Sequence, residues 1–266
     1  MIDTHCHILP GLDDGAQTEQ EALDMARQLV EAGFQVVIAT PHIVEGDRVI
    51  HPKVIREKVH AINQLFRQEN IPLKVLPGAE NYIFPELAAW YREGKIITLA
   101  DTQKYILVEL PAMSIPHYTD QVLFELQLAG LTPVIAHPER NRELYHNPEK
   151  LVEWVNKGIQ LQINLGSFIG RYGSGAHDLA KALLLSDMVH FIGTDMHHVS
   201  QHNSCLKSIN YLLSEIQKHR LTAAATTENP TNILEGINWS PPQPQSISLK
   251  KDRSFWQKVK QLILSR

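Results

Sequence analysis

The sequence predicts an α/β barrel, and two observations carry that expectation. Seven short apolar, β-rich runs alternate along the 266 residues with longer stretches of helical periodicity. That is the pattern of parallel strands joined by helical crossovers. Six of the seven runs deliver His, Asp or Glu at their ends. An open doubly wound sheet fits the alternation as well, but it would spread such residues along a line. A closed barrel gathers the carboxyl ends of its strands at one mouth.

Taken in order, Met1–His5 is the first strand. Glu19–Ala32 is a helix, with Ala22, Met25, Ala26, Leu29 and Val30 at helical spacing and Gly33 behind it. Gln35–Ala39 is a buried strand and Val54–Gln68 a helix. Leu73–Pro77 is a strand and Phe84–Arg92 a short helix. Strands Tyr105–Glu109, Thr132–Ala136, Gln160–Asn164 and Val189–Gly193 follow, separated by helices Asp120–Ala129, Pro148–Asn156 and Ala176–Leu185. Cys205–Lys218 reads as a further helix, and Asn229–Gly236 as a last short helix closing the barrel.

Composition narrows the class. With 43% hydrophobic and 20% charged residues, the chain suits one large domain, since α/β barrels of about 250 residues fold as units. No stretch approaches the ~20 apolar residues that cross a bilayer. The start MIDTHCHILPGLDDG has no basic segment followed by an apolar run, so a cytoplasmic location is expected. Cys6 and Cys205 are too few for a disulfide framework. A net charge of −4 gives no broad basic surface, so nucleic acid is not the expected partner. The 14 histidines stand out.

Their positions carry the chemistry. The strand ends supply His5 and His7, His42, Glu80, Glu109, His137, and Asp195 with His197, and the first loop adds Asp13 and Asp14. Side chains alternate along a strand, so His5 and His7 share one face, as do Asp195 and His197. Any one of these residues alone reads best as a hydrogen-bonded strand cap. As a set they do not, because ordinary caps are Ser, Thr or Asn rather than repeated His and acids at one rim. The nine candidate ligands are His5, His7, Asp14, His42, Glu80, Glu109, His137, Asp195 and His197. They exceed the ~4 donors of a tetrahedral zinc site. A mixed N/O set of this size suits two or three ions such as Mn, Fe, Zn or Mg, bridged by carboxylates. Four carboxylates against three divalent ions leave positive charge over, which suits a phosphate dianion. Arg140, three residues beyond His137, is the candidate phosphate-binding residue; Arg142 reads as a surface arginine.

Other chemistries fit poorly. Neither HILPGLDD after Cys6 nor LKSINYL after Cys205 contains the arginine that a cysteine phosphatase needs. Gly166-Ser-Phe-Ile-Gly170 does not match a Walker loop and is expected to form a mobile loop over the site. Phe168, Tyr172 and Tyr82 could stack on a phenyl ring, but core or loop packing is the preferred reading for each.

These residues resemble the polymerase-and-histidinol-phosphatase (PHP) superfamily, through His5-Cys6-His7 near the start and Asp195-Met196-His197 near the last strand. More narrowly, MIDTHCHILPGLDDGA, ATPH, PGAE, VIAHPER and GTDMHH, in that order over residues 1 to about 200, are similar to the bacterial capsule-biosynthesis protein-tyrosine phosphatases of the CpsB/YwqE type. The resemblance implies a distorted seven-stranded TIM-like (β/α)7 barrel over residues 1–238 with three metal ions, commonly manganese. By match of position, one ion takes His5, His7, Glu80 and Asp195. A second takes Glu80, Glu109 and His137, and a third Asp14, His42 and His197, with Arg140 on the phosphate. The implied substrate is phosphotyrosine on a capsule tyrosine kinase, cleaved by a metal-activated hydroxide. A small-molecule phosphatase such as a histidinol phosphatase, a PHP-type nuclease and an inert binding protein are the rivals.

Residues 239–249 read as a Pro-rich linker, and 250–266 as a basic amphipathic helix with six basic residues and one acid. That helix is expected to pack on its own barrel or on a neighbouring subunit. Peripheral docking to an anionic membrane or a membrane-bound kinase is the sharper alternative.

Overall fold

A computed structural model of the chain describes residues 1–199, 224–244 and 247. The expected helices Cys205–Lys218 and 250–266 lie outside the described residues, as do 245–246 and 248–249 of the expected linker. The described elements run β1 (Ile2–Cys6), α1 (Glu19–Glu31), β2 (Val36–Ala39), β3 (His42–Ile43), α2 (Pro52–Gln68), β4 (Lys74–Pro77), β5 (Glu80–Tyr82) and α3 (Leu87–Arg92). They continue with β6 (Tyr105–Glu109), α4 (Thr119–Leu128), β7 (Thr132–Ala136), α5 (Arg142–His146), α6 (Glu149–Asn156), β8 (Gln160–Asn164), α7 (Ser174–Leu185), β9 (Phe191–Gly193) and α8 (Asn229–Glu235).

Every strand pair is parallel. β1-β2-β4 form one sheet and β3-β5-β6-β7-β8-β9 the other, giving an α/β fold with a parallel-strand half-barrel. The second and third expected strands are present as β2 and β4, and each is followed after a short break by an unexpected fragment, β3 and β5. Pro41 follows Thr40 after β2 and has no N–H for the ladder, so pairing stops and resumes at His42. The neighbouring strand breaks at the same level, and Glu80 N donates to Pro41 O across the step (3.1 Å). On the other side, the segment after β9 runs beside β1: Asp195 N donates to His5 O (2.8 Å) and His7 N to Met196 O (3.0 Å). Asp3 fastens the same join, accepting from Thr194 N (2.9 Å), Thr194 Oγ1 (2.6 Å) and His5 N (3.1 Å).

Alternation along the strands divides the core into two layers. Val37, Ile106, Val108, Ile135, Leu161, Ile163 and Ile192 face the helices, packing on Met25, Leu29, Ile55, Phe66 and Trp154 in the larger cluster. Ile38, Tyr105, Leu107, Val134, Ala136 and Phe191 face the other way and form a smaller cluster with Leu99 and Ile233 of α8. Tyr105 OH then donates to Ile237 O (2.6 Å), so α8 closes that end. Residues two further along the inner face, such as Glu109 after Leu107, come out above this apolar plug. That is where the candidate ligands lie.

Helix caps follow local chemistry. Thr18 accepts from Glu21 N at the start of α1, and His51 from Lys53 N ahead of Pro52 in α2. The Gly166–Gly170 stretch is not a mobile loop. Leu165–Ile169 is a 3-10 helix whose Leu165, Gly166, Ser167 and Phe168 are buried, because Phe168 joins the larger core.

His190, just before β9, is buried with Nδ1 accepting from Leu161 N (2.8 Å). Burial lowers its pKa to about 3. The folded state therefore prefers the neutral ring, while the unfolded chain takes up a proton below its ordinary pKa of ~6.5. Stability from this group is full above ~6.5 and is lost as pH falls towards about 3, at up to ~1.4 kcal/mol per pH unit. Urea unfolding of wild type and His190→Asn between pH 7 and 4 checks this. Wild type should lose ground steadily on the variant, and parallel curves would contradict it.

Candidate metal centre

Glu80, at the start of β5, is fully buried and central. Its Oε1 lies 2.8 Å from His137 Nε2. Its Oε2 faces His42 Nδ1 (3.0 Å), His5 Nε2 (3.1 Å) and His7 Nε2 (3.5 Å), yet has no hydrogen bond of acceptable geometry. Asp195 Oδ1 lies 3.4 Å from His7 Nε2 and 3.6 Å from His5 Nε2. Asp14 Oδ1 lies 3.5 Å from His42 Nε2 and 3.6 Å from His197 Nε2. Glu109 approaches His42 (3.7 Å) and His137 (3.8 Å). The nine expected ligands thus form one linked cluster, in which Glu80 faces four imidazoles and Asp14, Glu109, Asp195 and His197 join through neighbouring members.

Three sets of donor atoms fall within 4.8 Å of one another: His7, Asp14, His42 and His197; His5, His7 and Glu80; and His42, Glu80 and Glu109. His7 and His42 each belong to two sets, so the sets overlap more than a partition by sequence position suggests.

The donor chemistry fits divalent cations. Two ring nitrogens, His5 Nε2 and His7 Nε2, point at each other 3.1 Å apart. The His7 and His197 rings stack at 3.9 Å. An orphaned carboxylate oxygen among converging lone pairs is a cluster organised around positive charge. The proton balance agrees. Burial drives His5 down, but the charges of Glu80 and Asp195 overcome it and raise the ring to about 9. Burial likewise opposes protonation of His7, yet its bond to Asp13 and the nearby carboxylates of Asp195 and Glu80 hold it well above the usual range. Glu80 and Asp195 are held low despite burial, chiefly by the His5 charge. Glu109 is pushed up by burial and by Glu80. Burial and the His7 charge lower His197 to about 4. Cations would take over the charge that these protons supply.

The backbone is bent to make this arrangement. His137 (φ 30°) and Asp195 (φ 50°) both occupy the left-handed region without being glycine. Such positions cost ~1–3 kcal/mol and persist where surrounding structure over-determines them. Each turns its strand end sharply, bringing the side chain over the mouth. Gly193 is required for the same closeness, since a Cβ there would lie 2.5 Å from His5 Cβ and 2.7 Å from Gln162 Nε2.

A second layer supports the ligands; of it, the sequence marked only Asp13, as a first-loop carboxylate. Asp13 accepts from His7 Nδ1 (2.6 Å), Gly15 N (3.0 Å) and the backbone His42 N (3.2 Å), fixing the His7 imidazole and the main chain at His42. Gln162 Oε1 meets His5 Nδ1 (2.9 Å). Asn164 donates to Asp195 Oδ2 (2.7 Å), and Glu139 accepts from Asn164 N (3.0 Å) and Ser167 Oγ (2.7 Å). β8 was the one strand without a His or acid at its end. It contributes amides instead, and polar Gln160, Gln162 and Asn164 at alternate positions of a buried strand were the available signal.

Arg140 stands at the rim with 35% of its side chain exposed, and Nη1 donates to Asp195 Oδ2 (2.7 Å). Its guanidinium lies 4.5 Å from the Tyr172 ring. Phe168 is a core residue, as expected, whereas Tyr172 faces the site.

Known proteins are similar to this chain in sequence and in fold. The family model for capsular polysaccharide synthesis proteins CpsB/CapC matches residues 1–235. The chain belongs to the CpsB/CapC family. The tyrosine-protein phosphatase YwqE of Bacillus subtilis is 39% identical over 92% of this chain and 96% of its own length. The putative tyrosine-protein phosphatase CapC of Staphylococcus aureus is 30% identical over 79% and 82%. A chain from the crystal structures of YwqE from Bacillus subtilis and CpsB from Streptococcus pneumoniae, described as unique metal-dependent tyrosine phosphatases, superposes with a TM-score of 0.86 at 38% identity. It covers 93% of this chain and 100% of that one.

If Asp13 orients His7, Asp13→Ala should weaken metal binding by roughly 10–100-fold, as for other ligand-orienting carboxylates. Competition of the variant against a calibrated chelator, with circular dichroism as a check on folding, measures this. Wild-type affinity would remove Asp13 from the site.

Proposed function

We propose that the chain is a metal-dependent protein-tyrosine phosphatase. The observation that carries this is the gathering of His5, His7, Asp14, His42, Glu80, Glu109 and His197 into three overlapping ion-sized groups, two of which contain the buried Glu80, with His137, Asp195 and Arg140 beside them. Family membership supports the same activity. In this reading His5, His7, Glu80 and Asp195 hold one ion, Glu80, Glu109 and His137 a second, and Asp14, His42 and His197 a third. Manganese is the preferred metal. The two sheets, joined through the breaks in β2/β3 and β4/β5 and through the β1–Asp195 contact, make up a distorted seven-stranded barrel over residues 1–238.

Divalent ions in this setting supply a water nucleophile at neutral pH and polarise the phosphoryl oxygens. The protein does the rest. Arg140 uses one N–H on Asp195, leaving donors on the guanidinium fork for two phosphoryl oxygens. Tyr172 beneath it fixes the plane of that fork. Attack forms a P–O bond to water and breaks the bond to the tyrosine oxygen. A phenolate with pKa of ~10 leaves with less acid help than an alkoxide.

Family membership favours a protein substrate over a small metabolite. A small cavity of ≈ 30 Å³ lies beside Glu109, His137 and Arg140. A groove of ≈ 600 Å³ between α2 and β4 lies away from the ligands. A tyrosine kinase of capsule or exopolysaccharide assembly is the proposed partner. No helix among the described residues is long and apolar enough to cross a membrane, and a cytoplasmic location is proposed.

Metal-stripped protein refilled with manganese should release phosphate from a phosphotyrosine peptide and leave histidinol phosphate uncut. Asp195→Ala should abolish turnover. Arg140→Ala should keep its metals while kcat falls ~100-fold or more, the usual cost of one charge-stabilising donor. Turnover of histidinol phosphate alone would reassign the substrate, and full activity in the Arg140 variant would remove that residue from the mechanism.

A further inference from the structure

The hydrolytic reading uses Arg140 but leaves its neighbour Arg171 without a task. Arg171 and Tyr172 are presented by a turn built for them. The 3-10 helix Leu165–Ile169 ends at Gly170 (φ 77°), and Gly173 (φ 92°) turns the chain again into α7. Two left-handed glycines therefore bracket one dipeptide. Arg171 N donates to Gly166 O (3.1 Å) and Gly173 N to Gly170 O (3.1 Å), which holds the turn. Both side chains lie across the bare backbone of Gly166. A Cβ there would come within 3.0 Å of Arg171 Cδ and 3.1 Å of Tyr172 Cε2.

The consequence is a pair of like charges on one ring. The Arg140 guanidinium is 4.5 Å and that of Arg171 5.4 Å from the Tyr172 centroid. An aromatic face attracts each cation, but the two repel one another. Such a pair is best relieved by anions. Arg140 is already tied to Asp195, and Arg48, also near the mouth, lies 3.9 Å from Asp14. Arg171 is exposed, and among the described residues no carboxylate lies within 4.0 Å of it. In a chain with net charge −4, a guanidinium held in place beside the site without an acid is available to a ligand.

We propose that Arg171 binds a second anionic group of the substrate peptide, next to the phosphotyrosine held by Arg140. That group is either the carboxylate of a neighbouring acidic residue or a second phosphate. The inference rests on the phosphatase reading for the place of the first phosphate. It makes Arg171 a specificity residue, with Tyr172 as the platform that spaces the two guanidiniums.

The test uses the full-length, manganese-loaded protein and three peptides in which a non-hydrolysable phosphonate replaces the scissile phosphate. One has neutral flanks, one has glutamates beside the phosphonate, and one has a neighbouring phosphotyrosine. Wild type should bind one or both anionic peptides roughly fivefold or more tightly than the neutral one, an effect that shrinks with added salt. Arg171→Gln should abolish that preference. Its affinity for the neutral peptide and its hydrolysis of p-nitrophenyl phosphate should stay within about twofold of wild type. An advantage only for the glutamate peptide assigns a carboxylate, and one only for the doubly anionic phosphopeptide assigns a second phosphate. An intact preference in Arg171→Gln overturns the proposal. Equal losses on all three peptides and on p-nitrophenyl phosphate also overturn it, by making Arg171 a support for Arg140. Because binding is read without turnover, the two readings separate. A wild type that prefers anionic peptides through Arg171 but cleaves no aryl phosphate would sink the phosphatase reading alone.

Discussion

Glu80 is a carboxylate with no exposure to solvent, surrounded by His5, His7, His42 and His137. Burying a charge is costly unless it is paired, and removing one partner of a buried pair costs several kcal/mol. That constraint sets the surrounding architecture. Each imidazole must be held so that a ring nitrogen faces Glu80, and three of the four are fixed by identifiable neighbours or backbone. Asp13 holds His7, Gln162 holds His5, and the bent backbone at His137 aims its ring. Asp195, the other buried acid, is shared among Asn164, Arg140 and the His5–His7 pair.

The fold meets this demand through alternation. Residues on the inner faces of β6, β7 and β9 form an apolar plug closed by Ile233, and beyond it β6 ends in Glu109 while the left-handed turns at His137 and Asp195 bring those ligands in after β7 and β9. The plug keeps water from reaching the cluster from below. A low-dielectric floor strengthens every interaction above it. It also explains why glycine stands at 193, where strands β1 and β8 crowd His5 and Gln162 together.

Much of this was legible in the chain. Helical spacing placed α1, α2, α4, α6 and α7 within about two residues, because their buried faces are long and regular. The β3 and β5 fragments were missed: two or three residues carry no periodicity, and Pro41 reads as an end rather than a step. Leu165–Ile169 was misread as a loop because Gly166 and Gly170 resemble a flexible stretch, while Phe168 anchors it in the core. The nine candidate ligands were recognised since His and acids at strand ends are conspicuous. Asp13 was noted only as a first-loop carboxylate, and Gln162, Asn164 and Glu139 were not recognised, because an amide or acid that orients a ligand has the same composition as an ordinary capping residue.

The sequence by itself determined which donors are available, on which face of each strand they lie, and that they gather at the strands' carboxyl ends. These follow from local rules of alternation and capping that do not need the fold. Only the tertiary structure decided which donors share an ion-sized space, that Glu80 is the centre, and that Tyr172 brings Arg140 and Arg171 together. Those relations join residues far apart in the chain, such as His5 with Gln162 and Arg140 with Asp195. Their distances depend on strand register and on the backbone turns at His137 and Asp195, which no local pattern encodes.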